Sequence, residues 1–319
     1  MSRVRVALVG TGTMGSLHAR VLHASDLTDL VSVVEPRADV GRAIADRYGA
    51  RWAADLDGMG DVDAVVVAAA TEAHHAVALQ VIGAGLPLLL EKPVADSLAE
   101  AEQVVAASER AGVPLMCGLP ERFNSAVATA VAAVRTPVHV RTVRFSPYAP
   151  RIRTGVAWDL LLHDVDLAVR MLGEPVEVGG KLGRYHPGSL PGAEDVAEGQ
   201  VRFRSGALFV GSASRIGQRK IRTLTIDEVD REVEVDLLRQ TVTVYRHVDS
   251  EAATEDGLGY RQQTIIDIPA VTQLGEPLVA QLAHFVGLLD GSVDVAEERR
   301  SILPAHRVIG ALTAAAPDR

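Results

Sequence analysis

The chain has 319 residues, of which 48% are apolar and 23% charged, with a formal net charge of -9. That length and mixture suit a soluble globular protein of two domains, and the acidic balance, without any basic cluster, argues against nucleic acid or an anionic membrane as partner and for a small molecule. The 4% aromatic content speaks against a base-stacking surface, and the first apolar run, VRVALVG, is too short for a secretion signal, so a cytoplasmic location is expected.

Between Val4 and Gly118, short β-branched or apolar runs (VRVALVG, VSVVE, AVVVAA, PLLLE and VPLMCG) alternate with helical stretches such as SLHARVLHAS and SLAEAEQVVAASERAG. The alternation predicts βαβ units and a parallel sheet covered on both faces. Gly10, Gly12 and Gly15 form G-T-G-T-M-G directly after the first strand and before a helix. In that context the first glycine permits a tight turn, the second lets backbone approach a pyrophosphate, and the third lets helix and strand pack closely. A diphosphate then sits on the helix N-terminus, beside Thr13 and Met14. Glu35 ends the second strand, where a carboxylate hydrogen-bonds the adenosine ribose and repels a 2'-phosphate, so NAD is expected in preference to NADP; the plain alternative is a solvated strand end. Arg37, two residues on, either stacks on adenine or pairs with a phosphate. Residues 1–118 are thus expected to be a doubly wound α/β domain of the Rossmann type. Within it, Ser97 and Glu100 make a capping box, and Cys117, the one cysteine, reads as a small buried hydrophobe.

From residue 119 the pattern changes. ERFNSAVATAVAAV reads as a helix, followed by antiparallel strand signals in VHVRTVRFS, PVEVGGKLGRY, VAEGQVRFRSGALFVGSAS, KIRTLTIDEVD, REVEVD and TVTVYRH, with a hairpin turn at Ser205-Gly206. Helical runs near 276–290 and 303–315 close the chain. Residues 119–319 are expected to form an α+β domain on one open, mainly antiparallel sheet, whose uncovered face suggests a homodimer or homotetramer. Between strand and sheet lies GVAWDLLLHDVDLAVRMLG, residues 155–173, where Asp159, His163 and Asp166 fall at i, i+4 and i+7 of a helix. Three readings are open there: a metal site, a proton relay, or a helix's ordinary polar face. A metal is disfavoured because no second histidine or cysteine set accompanies the stripe. Asp166 lies four residues before Arg170, as in a surface ion pair, and Asp164 reads as structural or as an accessory contact. Arg144, Tyr148, Arg151 and Arg153 precede the helix and either bind a diphosphate or form a basic surface loop.

Strand PLLL followed by Glu91-Lys92-Pro93, with TEAH at 71–74, the glycine turn and the stretch from Asp159 to Gly173, resembles the glucose-fructose oxidoreductase, inositol dehydrogenase and MocA family across both domains. The resemblance implies that Lys92 reaches the substrate hydroxyl and the nicotinamide ribose after a peptide that is often cis, and that Asp159 and His163 stand beside the substrate carbinol, with His163 taking its proton. It implies cofactor contacts near Thr71, His74 and Glu91, and no metal. Two positions depart from the pattern: Ala69-Ala70 replaces a Thr-Pro pair, and Leu161 replaces a common glycine, which is expected to narrow the pocket floor. ERFN at 121–124 with DLLLHDVDL is most similar to the branch that oxidises the 3-hydroxyl of UDP-N-acetylglucosamine or related sugars. Arg122, Asn124 and Tyr148 then become candidate substrate contacts, with a solvated cation as the plain reading of Arg122. The function so implied is NAD-dependent oxidation of a sugar or nucleotide sugar; an NADPH-dependent keto-sugar or cyclitol reductase and a non-catalytic NAD(H) sensor are the alternatives.

Overall fold

Strands that are apolar on both faces need cover on both sides, and crossover helices supply it. In the computed structural model, which describes residues 3–254 and 257–315, the chain runs β1 (Val4–Val9), α1 (Thr13–Ala24), β2 (Thr28–Val34), α2 (Ala38–Tyr48), β3 (Arg51–Ala53), β4 (Ala64–Val67), α3 (Thr71–Gly83), β5 (Leu88–Glu91), α4 (Leu98–Ala111) and β6 (Leu115–Gly118). The six strands lie in the order β3-β2-β1-β4-β5-β6, each neighbouring pair parallel. Every residue of β4, β5 and β6 is buried, Cys117 among them. Ser97 Oγ accepts the Glu100 N–H at 3.3 Å and caps α4, as the sequence predicts. β3 escapes sequence reading because three residues, Arg-Trp-Ala, are too few to show a period; pairing with β2 makes them a strand. Strand order reverses between β1 and β4, so the carboxyl ends of these two strands open the crevice where ligands bind in such sheets.

The rest of the chain continues with α5 (Ser125–Ala133), β7 (His139–Phe145), α6 (Leu162–Leu172), β8 (Pro175–Gly183), β9 (Val196–Phe203), β10 (Leu208–Ser214), β11 (Ile221–Asp227), β12 (Glu232–Asp236), β13 (Thr241–Thr254) and β14 (Gly257–Asp267). They form one sheet in the order β14-β13-β12-β11-β7-β10-β9-β8, antiparallel except for the parallel pair β7 and β10. Alternation sets the faces: in β9, Ala197, Gly199, Val201 and Phe203 are buried while Glu198, Gln200 and Arg202 point out. The Ser205-Gly206 hairpin is present, with Gly206 at φ +89° and Phe203 N–H bonded to Ala207 O at 2.9 Å. β14 was not anticipated, because GLGYRQQTIID lacks a two-residue apolar period; it is defined by its ladder with β13.

Three helices close the chain: α7 (Pro277–Asp290), α8 (Val295–Arg300) and α9 (Leu303–Ala314). One compact unit comprises Met1–Pro120 with Gly275–Gly310, the other Glu121–Leu274 with Ala311–Arg319. The division differs from the expected boundary at 118/119, since Gly275–Gly310 returns to the first unit. Buried Leu278, Leu282, Phe285 and Leu288 drive the return. Arg299 anchors it, donating to Ser108 Oγ and Val113 O at 3.0 Å each. No helix among the described residues is long and apolar enough to cross a membrane.

Leu161 corrects one expectation. Rather than narrowing a pocket, it is wholly buried against the sheet. A Cβ at Gly211 would lie 2.7 Å from Leu161 Cδ1 and one at Gly199 3.1 Å from Cδ2, and these two glycines face each other across β9 and β10. The larger residue fills the hollow left by the missing side chains. Leu161→Ala is expected to lower the unfolding free energy by about 2–5 kcal/mol, measured by urea denaturation; a loss under about 0.5 kcal/mol would show that the hollow collapses without it.

Candidate active site

The β1–α1 turn is built from backbone approaches that only glycine allows. A Cβ at Gly15 would overlap the Gly10 carbonyl oxygen, and one at Gly10, whose φ is +91°, would lie 2.6 Å from Ala69 Cα. Gly12, the N-cap of α1, has nothing within 4 Å of its would-be Cβ, and no side chain caps the helix. Exposed Thr13 and half-buried Met14 stand in the first turn, at the positive end of α1, a setting that fits a dinucleotide diphosphate.

Beneath this turn Glu35 is buried at the end of β2. Its Oε2 accepts the Thr11 N–H at 3.1 Å and the Thr11 hydroxyl at 2.7 Å; its Oε1 accepts Arg37 Nε–H at 2.8 Å and Arg37 N–H at 3.3 Å. Burial pushes the carboxyl up, but the Arg37 and Thr11 hydrogen bonds outweigh it and bring it down to about 2. Arg37 is therefore paired with Glu35, which neither of its expected roles had included.

At the end of β5 the Lys92–Pro93 peptide is cis. Glu91 is buried, with Oε1 2.7 Å from His18 Nε2 of α1 and Oε2 accepting the Lys92 N–H at 3.3 Å. Gly118, opposite it on β6, makes room: a Cβ there would lie 2.9 Å from the Glu91 carboxylate carbon. His74 is buried in α3, its Nδ1 2.7 Å from Pro93 O and its Nε2 3.2 Å from Ala69 O. Burial lowers its pKa against the pull of these two carbonyls. Glu91 and His74, expected as cofactor contacts, thus hold the backbone around half-buried Lys92, and Thr71 is the half-buried first residue of α3.

In the other unit the expected helix over Asp159 and His163 is split. Ala157–Leu161 winds as one π turn, in which Leu162 N–H bonds Ala157 O five residues back, and α winding begins at Leu162. Asp159 is half-buried in the π turn and His163 is buried in the first α turn. Asp166 does not pair with Arg170: it takes a buried, two-pronged contact from Arg122, Nε to Oδ2 at 2.8 Å and Nη2 to Oδ1 at 2.6 Å. Arg122 is accordingly not a solvated cation. Asn124 caps α5, its Oδ1 accepting Ala126 N–H at 3.0 Å while Nδ2 donates to Glu121 Oε2 at 3.1 Å and Leu237 O at 3.3 Å. Those bonds explain its burial without a substrate. Tyr148 stacks on His186, ring centres 3.5 Å apart.

Arg144 is no diphosphate donor either. It is fully buried, with Nη2 2.7 Å from Asp164 Oδ1 and Nη1 3.0 Å from Glu121 Oε1. Burial opposes its charge, but Asp164 and Glu121 outweigh that and raise its pKa. Sequence reading missed Arg222 on β11, which lies opposite Arg144 in register and 3.4 Å from Glu121 Oε1. It also missed Glu194, whose Oε1 accepts the Ala157 N–H at 2.6 Å at the entry to the π turn. Neither belongs to a local motif, so only the fold reveals them. Among the described residues no group of three His, Cys, Asp or Glu is placed to hold a metal ion.

A family model described as the NAD-binding Rossmann fold of an oxidoreductase family matches residues 4–119, and the C-terminal domain model of the same family matches 128–235. The chain belongs to the Gfo/Idh/MocA oxidoreductase family. Its first unit is accordingly an NAD-binding Rossmann domain. UDP-N-acetylglucosamine 3-dehydrogenase of Acidithiobacillus ferrooxidans is 27% identical over 270 residues, 83% of each chain, and its solved structure superposes with a TM-score of 0.81 at 25% identity over 99% of each. 4-Carboxy-2-hydroxymuconate-6-semialdehyde dehydrogenase of Sphingobium sp. is 31% identical over 66% of this chain and 72% of its own. GenD2 from gentamicin A biosynthesis, solved with NAD, gives a TM-score of 0.82 at 27% identity over 99% of this chain and 94% of that one.

Glu35 generates a pH test. Its carboxyl sits below its ordinary 4.5 when folded, so it stabilises the fold above about 4.5 and ceases to do so as pH falls through about 2. Urea unfolding at stepped pH is expected to show Glu35→Gln less stable than wild type near neutrality, with the gap closing across that window. A gap independent of pH would mean that the carboxylate's charge contributes nothing there.

Proposed function

We propose that this member of the family is an NAD-dependent dehydrogenase that oxidises a secondary hydroxyl, at C3, of a sugar or nucleotide sugar to the ketone, with His163 as base. The observation that carries the reading is the winding of this segment: Asp159 and His163 bracket the change from π to α winding, a feature frequent at functional sites.

In this reading the imidazole of His163 takes the carbinol proton, a task suited to a group that titrates near neutrality. Asp159 orients the ring and stabilises the imidazolium. The Lys92 ammonium favours the developing alkoxide and contacts substrate. Gly10, Gly12, Thr13, Met14 and Gly15 hold the diphosphate, with Glu35 on the ribose and Thr71 among the cofactor contacts. Bound there, NAD supplies the acceptor for the hydride that leaves the carbinol carbon with its electron pair. Ionised Glu35 disfavours a 2'-phosphate, so NADP is the weaker cofactor. The similarity to UDP-N-acetylglucosamine 3-dehydrogenase over 83% of both chains supports the substrate class. Assembly as a homodimer or homotetramer belongs to the same reading.

The test is reduced-nicotinamide absorbance with NAD and NADP against UDP-N-acetylglucosamine, UDP-glucose, free hexoses and inositols, with a carbonyl trap. Reduction of NAD by one sugar class is expected. Silence across the panel, with NADH binding intact, overturns the reading in favour of a keto-sugar reductase or a non-catalytic NAD(H)-binding protein. On the active substrate, His163→Ala and Lys92→Met are each expected to lower kcat by about 10²–10⁴-fold with NAD affinity within about twofold; full turnover in either removes that residue from the chemistry.

A further inference from the structure

The peptide group joining Pro93 to Val94, the first after the cis bond that follows Lys92, is gripped at both ends by buried histidines from distant parts of the chain. Its carbonyl oxygen lies 2.7 Å from His74 Nδ1 of α3, and its N–H donates to His306 Nε2 of α9 at 3.3 Å. His306 is wholly buried and His74 nearly so. Their roles are opposite. His74 Nδ1 faces a carbonyl and donates in the tautomer that carries its proton there, its Nε2 facing Ala69 O, whereas His306 Nε2 faces an N–H and must accept, its proton residing on Nδ1, 2.8 Å from Ile302 O. On the other side of the lysine, the Lys92 N–H is held by Glu91, itself held by His18. Restraint therefore falls on the backbone at both sides of Lys92, and Pro93 stiffens the link between.

We propose that His306 and His74 are positioning residues for Lys92: clamping one peptide group from opposite edges, they fix where the Lys92 ammonium is delivered. The inference rests on the role given to Lys92 above. A purely structural role for His306, satisfying the buried Val94 N–H and seating α9, would leave the reactivity of the Lys92 ammonium unchanged. A displacement of about 1 Å at a reacting group costs about a hundredfold in rate, so a clamp of this kind acts on turnover more than on affinity.

The experiment compares His306→Leu and His306→Gln in the full chain. Glutamine can carry an acceptor oxygen to where Nε2 lies; leucine fills volume without one. Expected for His306→Leu are a tenfold or greater fall in kcat, KM within about threefold, NADH affinity by fluorescence within about twofold, and recovery of most of kcat in His306→Gln. The second readout needs no turnover: trace acetylation by acetic anhydride, quantified by peptide mass spectrometry, compares Lys92 with Lys181 and Lys220, which are exposed in the fold. The labelling rate of Lys92 relative to those two should change at least threefold in His306→Leu and return in His306→Gln. Should the leucine variant fail to fold, His306→Asn, whose shorter side chain cannot reach the Val94 N–H, takes its place against His306→Gln, and His74→Ala against His74→Asn repeats the test from the donor side. Unchanged relative labelling of Lys92 in the folded acceptor-less variants overturns the proposal. If wild type oxidises no sugar, the labelling still decides the clamp, and the failure belongs to the proposed function alone.

Discussion

The β1–α1 turn closes because Gly15 has no side chain to set against the Gly10 carbonyl, and the ligand-binding half of the first unit depends on that contact. With α1 seated so close to β1, its first turn has no side-chain cap. The same seating brings Thr11 over Glu35 and His18 against Glu91. Turn and helix thus hold both the Glu35 carboxylate and the base of the Lys92 turn. A larger residue at 15 would displace both together, since the obstacle is backbone and cannot move aside.

In the other unit, charge does what glycine does in the first. Arg144 with Asp164 and Glu121, and Arg122 with Asp166, are buried ion pairs. Such pairs add little net stability, because desolvation offsets most of their attraction, yet removing one partner strands a buried charge. Their constraint is geometric. Asp164 and Asp166 lie on α6, so the helix cannot rotate without breaking one of them, and the direction of His163 follows. Glu194, bonded to the Ala157 N–H, fixes the same segment at its start. Burial pushes the Glu194 carboxyl up, opposed by the amide it accepts from.

The family resemblance and the site diverge in an instructive way. Residues conspicuous by motif turned out to do two kinds of work. Gly10 and Gly15 allow the close approaches of the β1–α1 turn, while Gly12 leaves space at the uncapped start of α1. Glu91 and His74 lie beneath, bonded to backbone, and Arg122 and Asn124 satisfy one another's neighbourhood through Asp166 and Glu121. A buried polar residue must find partners within the protein, and Glu35, held by Thr11 and Arg37, meets that requirement as Glu91 and His74 do.

What the sequence by itself determined is what short-range physics controls: the period of apolar runs that makes a parallel sheet, the glycine spacing that only a tight strand-to-helix turn needs, the Ser97 cap, the Ser205-Gly206 hairpin. These depend on neighbours within a few residues and are legible without the fold. Tertiary structure alone decided the rest. β3 is a strand only because β2 offers it hydrogen bonds, and Gly275–Gly310 belongs to the first unit only because its apolar helix faces find cover there. Likewise Asp166 chose Arg122 over Arg170, because a guanidinium from 44 residues away was brought within bonding distance inside the protein, where desolvated charges must pair. His306, 212 residues from Val94, reaches that peptide for the same reason: contacts between distant residues leave no period in the sequence from which to read them.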